Sequence, residues 1–281
     1  MAEKPSPQIP RFRHPWRSAG KLRLRVPQFR HQCMRLHSLS QVLRSLLFNV
    51  VMFSTVTVFA PLSLLTWPLP PLVRYRFISQ WARFHIWLLK ALCGLDYRVE
   101  GHEHLPRDRS AVVLAKHQSS WETLAFQQIL PPQVWVLKHE LLWVPFFGWG
   151  LALLDPIAID RGAGRKAVQQ IIEQGRQRLE SGRWVVVFPE GTRMTAGHQR
   201  RFGIGGAALA AGTGYPVVPV AHNAGQFWPR RGFLKKPGTI HVVIGPAIDS
   251  RGKTPEEINR LAETWIHATM ARLEAGPDGH S

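Results

Sequence analysis

Between Arg44 and Arg74 the chain carries no charged side chain, and the run SLLFNVVMFSTVTVFAPLSLLTWPLPPLV (Ser45–Val73) is long enough to cross a hydrocarbon core. A chain holding such a segment must bury it in lipid or in its own core, so membrane contact is the first expectation. Pro61, Pro68, Pro70 and Pro71 interrupt the run. They leave three geometries open: a span, a re-entrant hairpin or an in-plane hairpin.

From Met1 to Arg35, ahead of this run, lie nine basic residues, including Arg11, Arg13, Arg17, Lys21, Arg23, Arg25 and Arg30, against the single acid Glu3. Residues 1–40 therefore read as a basic flexible arm. The positive-inside rule keeps the arm cytoplasmic, and anionic membrane lipids would attract it. The basic region is too long for a cleaved signal peptide, and no small-residue cleavage site follows; an Arg-rich, acid-poor mitochondrial leader is the alternative. Beyond the run, Phe77, Trp81, Phe84, Leu88 and Leu92 recur at helical spacing, interleaved with Arg74, Arg76 and Arg83. That pattern predicts an amphipathic helix facing either the core or a membrane interface. Residues 41–95 together form a hydrophobic, membrane-associated helical segment.

From Asp96 the texture changes to short apolar runs alternating with helical patterns, which predicts an α/β domain over residues 96–275. Its fold is expected to be a central mixed sheet flanked by helices. Strands are predicted near 97–100, 111–115, 134–137, 157–160, 184–188, 217–221 and 239–244. One helix is expected over 165–179, burying Val168, Ile171, Ile172 and Leu179. Another starts at Thr254, where Thr254, Pro255 and Glu257 supply an N-cap, a first-turn proline and a capping-box acid; its buried face is Ile258, Leu261, Trp265, Ile266 and Leu273. The glycines from Gly203 to Gly214 lack a phosphate-loop ending and read as close helix packing.

The chemistry gathers at predicted strand ends, where open α/β sheets bind ligands. Lys116-His117-Gln118-Ser119-Ser120-Trp121-Glu122 follows the strand AVVLA. Five residues turn a helix by about 500°, so His117 and Glu122 cannot share one helical face. His117 must precede the helix, with Glu122 in its first turn reaching back to one ring nitrogen while the other accepts a hydroxyl proton. The competing reading makes Ser119 and Glu122 a capping box and His117 a plain loop residue. A second group, Phe188-Pro189-Glu190-Gly191-Thr192-Arg193, ends WVVVF: glycine permits close backbone approach and Arg193 can grip a phosphate. A third is Ile159-Asp160-Arg161. For these two the plain alternatives are a turn with a surface ion pair and a solvated charge pair.

These blocks, with Val217-Val218-Pro219-Val220, stand in the order and rough spacing of the four motifs of glycerolipid acyltransferases. Over about residues 95 to 250 the sequence resembles the bacterial 1-acylglycerol-3-phosphate acyltransferases. The resemblance implies a membrane-bound O-acyltransferase of phospholipid biosynthesis with its site facing the cytoplasm, at a bacterial inner membrane. An acyl group would pass from acyl-CoA or acyl carrier protein to the free hydroxyl of lysophosphatidic acid. It also implies roles: His117 the general base, Glu122 its orienting acid, and Arg161, Glu190, Gly191, Thr192 and Arg193 binding the phosphoglycerol head. Lys138 would stand near the phosphate, and the Val-Pro-Val block would lie near the acyl chain or stabilise the site. The sequence departs from the family in carrying Glu122 where aspartate is usual and Gly203 where a basic residue is common.

No cofactor is expected beyond the acyl donor as co-substrate. No metal is expected either, because His102 and His104 lack a further ligand set and Cys33 and Cys93 lack paired spacing. No Gly-x-Ser-x-Gly elbow offers a serine nucleophile, so direct transfer is expected. Two alternatives remain: another acceptor, such as glycerol-3-phosphate or a different lysolipid, and a membrane-tethered nucleic-acid binder. The second is prompted by 36 Lys and Arg against 18 Asp and Glu, a formal charge of +18. Nucleic acid is not the expected partner, since the distinctive residues lie at strand ends with an acid among them.

Overall fold

A computed structural model describes the backbone of residues 27–275 and the side chains of residues 39–275, that of Arg161 excepted. In chain order the elements are α1 (Pro27–Leu64), α2 (Pro71–Leu88), β1 (Leu95–Glu100), β2 (Val112–Ala115), α3 (Trp121–Ile129), β3 (Gln133–Lys138), α4 (Phe147–Ala152), β4 (Ile157–Ile159), α5 (Arg165–Glu180), β5 (Trp184–Val187), α6 (Gly205–Thr213), β6 (Val217–His222), α7 (Ala224–Phe227), β7 (Gly238–Ile244) and α8 (Pro255–Glu274). Contacts divide the chain into a unit ending at Leu39 and a larger one beginning at Ser40; everything below concerns the larger unit.

All seven expected strands form, in the order β1-β7-β6-β2-β5-β3-β4. The sheet is mixed, because β6 and β7 pair antiparallel while the other neighbours are parallel. Strand side chains alternate between two cores. Val113, Ala115, Trp135, Leu137 and Val186 face α2 and α3, whereas Val112, Leu114, Val134, Val136, Val185 and Val187 face α5, α6 and α8. A sheet covered on both faces needs strands that are apolar throughout, which is why these segments read as continuous apolar runs. The Val-Pro-Val block lies in β6, buried mid-sheet.

The Gly203–Gly214 stretch packs closely, as expected. A Cβ on Gly206 would stand 2.5 Å from Leu114 Cδ2, and one on Gly175 of α5 would stand 2.6 Å from Leu209 Cδ2. The capping box at Thr254 forms as read. Two helix faces differ from expectation. On α5 the buried stripe is Ala167, Ile171, Gly175 and Leu179, with Val168 and Ile172 half-buried. On α8 it is Ile258, Asn259, Ala262, Ile266, Thr269 and Met270, with Leu261, Trp265 and Leu273 at its edge. In both, small or polar residues occupy the closest contacts, so large apolar positions alone misplace the stripe by part of a turn.

The N-terminal segment also differs. Helix α1 already runs through residues 27–40, which the sequence assigned to the arm; Pro27 at its start suits a first helical turn. Residues 1–26 of the arm lie outside the described residues. The stretch Leu39–Leu64, 26 residues, is long and apolar enough to cross a membrane, and little of it is buried. Helix α2 buries Tyr75, Ile78, Ser79, Ala82, His85 and Ile86 against the domain, while Phe77, Phe84 and Trp87 point outward. Of the expected stripe, Phe77 and Phe84 thus lie on the outer face and Leu88 in the core.

Helix α1 is fastened to the domain at three levels. Over Ser45–Asn49 the loop after α7 inserts Lys235, fully buried, between Phe48, Trp228 and Phe233, with Nζ 5.3, 4.7 and 5.7 Å from their ring centres. The ammonium donates to Asn49 Oδ1 (2.6 Å) and Phe233 O (2.8 Å), and the Lys235 N–H donates to Ser45 Oγ (3.0 Å). Midway, Trp81 Nε1–H donates to Thr55 Oγ1 and Phe59 stacks on Phe77. Towards its end, Ala60 and Ser63 lie against Gly150 of α4.

Burial pushes the Lys235 ammonium down to about 8. Between that value and the ordinary lysine range near 10.4 the unfolded chain binds more protons than the folded one, so stability should rise with pH across this window and fall as pH drops towards 8. Unfolding midpoints in detergent at pH 7.5 and 9.5 check this: wild type should gain, and Lys235→Met should lose the increment.

Candidate active site

Strands β2, β5, β3 and β4 are adjacent and parallel, so their C-terminal ends share one edge of the sheet. That edge receives His117 from β2, the Phe188–Arg193 loop from β5, Lys138 from β3 and Asp160-Arg161 from β4. The first two loops are direct neighbours and bond to each other. The His117 N–H donates to Glu190 Oε2 (3.0 Å), and the His117 carbonyl accepts from Met194 N–H (2.7 Å). The imidazole is stacked on Phe188, with centroids 3.9 Å apart and planes 14° from parallel.

His117 Nδ1 stands 2.9 Å from Glu122 Oε1. A carboxylate only accepts, so Nδ1 carries the proton and Nε2 presents its lone pair. Oε1 of Glu122 also accepts from the N–H groups of Gln118 (2.9 Å) and Ser119 (2.8 Å). Both sequence readings of Glu122 are therefore realised by one oxygen, which orients the imidazole and caps the start of α3. The reciprocal half of the capping box is missing, because Ser119 Oγ accepts from Trp121 N–H instead. The added methylene of Glu122 is taken up by the backward fold of its side chain from the first turn of α3. Burial works to raise the Glu122 carboxyl, but the bond from His117 and the Ser119 N–H outweigh it and hold the group below the usual carboxylate range.

Beneath the loop lie two residues whose roles the sequence reading missed. Lys116, fully buried, sets Nζ 2.5 Å from Glu190 Oε1 and 3.1 Å from His198 O. His222, also buried, donates from Nε2 to the Lys116 carbonyl (2.8 Å) and accepts the Ala224 N–H on Nδ1 (3.3 Å); burial pushes its imidazole down, keeping it neutral. A polar residue closing an all-buried strand such as VVPVAH was the available signal for His222. The Lys116 partner was not readable, since strand neighbours are not written in the sequence.

Glu190, expected at the head group, has a side chain that is 0% exposed, with one oxygen bonded to Lys116 and the other to the His117 N–H. Burial pushes its carboxyl up, against the pull of Lys116. Gly191 adopts φ 70°, a left-handed conformation that glycine takes without strain, and Thr192 is half-buried beside it. Arg193 is half-buried and shares a cavity with His117. Lys138 is exposed, paired with Glu140 at 2.6 Å, and does not line that cavity. Arg161 follows β4, three strands or about 14 Å from β2 at ordinary spacing; its side chain lies outside the described residues. At the expected departure Gly203, the N–H donates to Pro189 O (2.7 Å), tying the approach to α6 to the Glu190 loop. Among the described residues no cluster of three His, Cys, Asp or Glu could hold a metal ion.

The cavity, about 220 Å³, joins this edge to the apolar helices. His117, Phe188 and Arg193 line one part. Val56, Phe59, Ala60 and Ser63 of α1, Ile78 and Trp81 of α2, Leu124 and Gln127 of α3, and Leu151 with Leu154 near α4 line the rest. A lone-pair nitrogen and a guanidinium thus open onto an apolar channel, an arrangement matched to a molecule with an anionic head, a hydroxyl and a hydrocarbon chain. The Val-Pro-Val block takes no part in this lining; of its two expected roles, supporting the sheet beneath the site is the one consistent with its position.

The pattern that defines the Acyltransferase family matches residues 96–223. The chain is 48% identical over 238 residues to the 1-acyl-sn-glycerol-3-phosphate acyltransferase of Pseudomonas aeruginosa, covering 83% of this chain and 92% of that one. It is 31% identical over 194 residues to the 1-acyl-sn-glycerol-3-phosphate acyltransferase alpha of Homo sapiens, covering 68% and 69%. Its fold is that of the crystal structure of the 1-acyl-sn-glycerophosphate acyltransferase PlsC of Thermotoga maritima, with a TM-score of 0.69 at 24% identity over 84% of this chain and 98% of that one.

Proposed function

Since the chain belongs to the acyltransferase family, together with the 1-acyl-sn-glycerol-3-phosphate acyltransferases it matches over most of their length, we propose that it acylates the free sn-2 hydroxyl of 1-acylglycerol-3-phosphate to give phosphatidic acid. The observation that carries this reading is His117, proton on Nδ1 and lone pair on Nε2, opening with Arg193 onto an apolar cavity.

In this mechanism donor and acceptor are bound together. The acceptor hydroxyl attacks the thioester carbonyl as Nε2 of His117 takes its proton. The carbon–sulfur bond breaks and the proton passes to the departing thiolate. Glu122 holds the ring and balances the imidazolium formed on the way. Arg193, with Arg161 from β4, binds the phosphate, and Gly191 and Thr192 shape the loop that carries Arg193. Glu190 is a positioning residue. The donor is acyl-CoA or acyl carrier protein, used as a co-substrate, and no cofactor or metal is invoked.

Membrane association follows from the exposed apolar face of α1. Because α1 is packed along the domain from Ser45 to Ser63, we place it half-immersed beside the domain, with the site on the cytoplasmic side where the basic arm stays. The test is acyl transfer by the full-length protein in vesicles, with lysophosphatidic acid, glycerol-3-phosphate and other lysolipids as acceptors and labelled acyl-CoA and acyl carrier protein as donors. Phosphatidic acid formed from lysophosphatidic acid supports the proposal; turnover of glycerol-3-phosphate alone overturns the acceptor.

The cavity predicts chain selectivity. Leu124→Trp should obstruct it, and each methylene shut out forfeits about 0.8 kcal/mol of burial, so excluding two or three should disfavour long-chain lysophosphatidic acids against short ones by roughly ten- to sixtyfold. Ratios of kcat/KM across a series of saturated lysophosphatidic acids measure this.

A further inference from the structure

A further apolar, uncharged run, Leu141–Leu154, is bounded by the exposed Lys138–Glu140 pair and by Asp155. At this length an apolar run is a core segment or an interfacial one. Here its two sides differ. Leu151 and Leu154 face the cavity, while Trp143 is 75% exposed, Trp149 44% exposed, and Val144 is turned out between them. Several large apolar side chains left in water within so few residues form a patch of the kind that marks an interaction surface.

We infer that the Leu141–Trp149 segment is a second membrane-inserting element, seated at the headgroup level beside α1. Continuity commits it to lipid: Gly150 lies against Ala60 and Ser63 of α1, whose outer face exposes Val58 and Leu62 at the same level. Its composition fits an interface, with two tryptophans outermost and the charged Lys138–Glu140 pair at its margin. The segment walls the cavity on its inner side, so a lysolipid chain reaches His117 from the bilayer past this element without crossing water. This rests on the membrane reading given above for α1.

The experiment uses full-length protein carrying Cys33→Ser, with the buried Cys93 left in place, and a fluorophore attached at one introduced cysteine: Trp143→Cys, Trp149→Cys, Phe53→Cys on the exposed face of α1, or Arg251→Cys on the exposed turn before α8. Each is bound to vesicles of phosphatidylcholine and phosphatidylglycerol with and without bromine on the acyl chains. The inference expects bromine to quench the labels at 143, 149 and 53, and to leave 251 unquenched. Quenching at 53 without quenching at 143 and 149 overturns it while sparing the membrane reading; no quenching at 53 overturns both. A concentration-dependent response at 143 without vesicles assigns the patch to a second copy of the chain, and likewise overturns it. Acyl transfer by wild type in the same vesicles reports separately on the proposed reaction.

Discussion

Replacing His117 by alanine should lower the rate of acyl transfer by roughly 10²–10⁴-fold, the usual range for loss of a general base. The loss should fall on kcat. Imidazole makes up a small part of a cavity lined mainly by α1, α2, α3 and the segment around α4, so the hydrocarbon contacts that hold lipid survive the change and KM should move little. The fold should survive too, because the loop is held through the His117 backbone, its N–H on Glu190 and its carbonyl on Met194 N–H, and alanine keeps both. Glu122→Gln separates orientation from proton transfer. A glutamine oxygen can still accept from Nδ1, and Phe188 still supports the ring, so the histidine stays near its place; what is lost is the negative charge that stabilises the imidazolium. Its kcat should therefore lie between wild type and His117→Ala. Single-turnover rates with labelled donor, beside circular dichroism to confirm folding, decide the matter: less than about a tenfold loss in a folded His117→Ala protein would remove it from the role of base.

How much of this site was legible follows from what each residue depends on. The His117–Glu122 bond could be read because both ends lie in one strand-to-helix turn, where spacing alone excludes a shared helical face. The central strands β2, β5 and β6 could be read because a sheet covered on both sides demands unbroken, mostly apolar runs. Glu190 was placed in the right loop but its bond to Lys116 was not foreseen, since that bond spans β2 and β5 and nothing local says that those strands are neighbours. The same limit hid His222 and the pairing of Lys138 with Glu140 outside the cavity. Helix α2 was left open between core and interface because it carries apolar side chains on two faces, and periodicity cannot tell the core face of Tyr75, Ile78 and Ala82 from the outer face of Phe77 and Phe84. Residues Leu141–Leu154 were passed over because the run is shorter than a span and its exposure is a tertiary fact.

Breaking the Lys116–Glu190 pair from one side should cost about 3–5 kcal/mol, because each partner is fully buried and removing one leaves the other without its counter-charge. For a domain of this size that corresponds to a fall in Tm of about 6–20 °C. Glu190→Gln strands the ammonium, and Lys116→Met strands the carboxylate. The double variant Lys116→Met, Glu190→Gln removes both charges and leaves the glutamine oxygen able to accept the His117 N–H, so it should recover most of the lost stability. Kinetics then distinguish a positioning role from contact with substrate. If Glu190 holds the His117 loop, Glu190→Gln lowers kcat with little change in KM for lysophosphatidic acid, and the second-site change at Lys116 restores part of that loss. If Glu190 instead touches the head group, KM rises and Lys116→Met offers no rescue. The geometry favours the first outcome: both carboxylate oxygens are already engaged, 2.5 Å from the ammonium and 3.0 Å from the backbone of the residue that must hold the base in line.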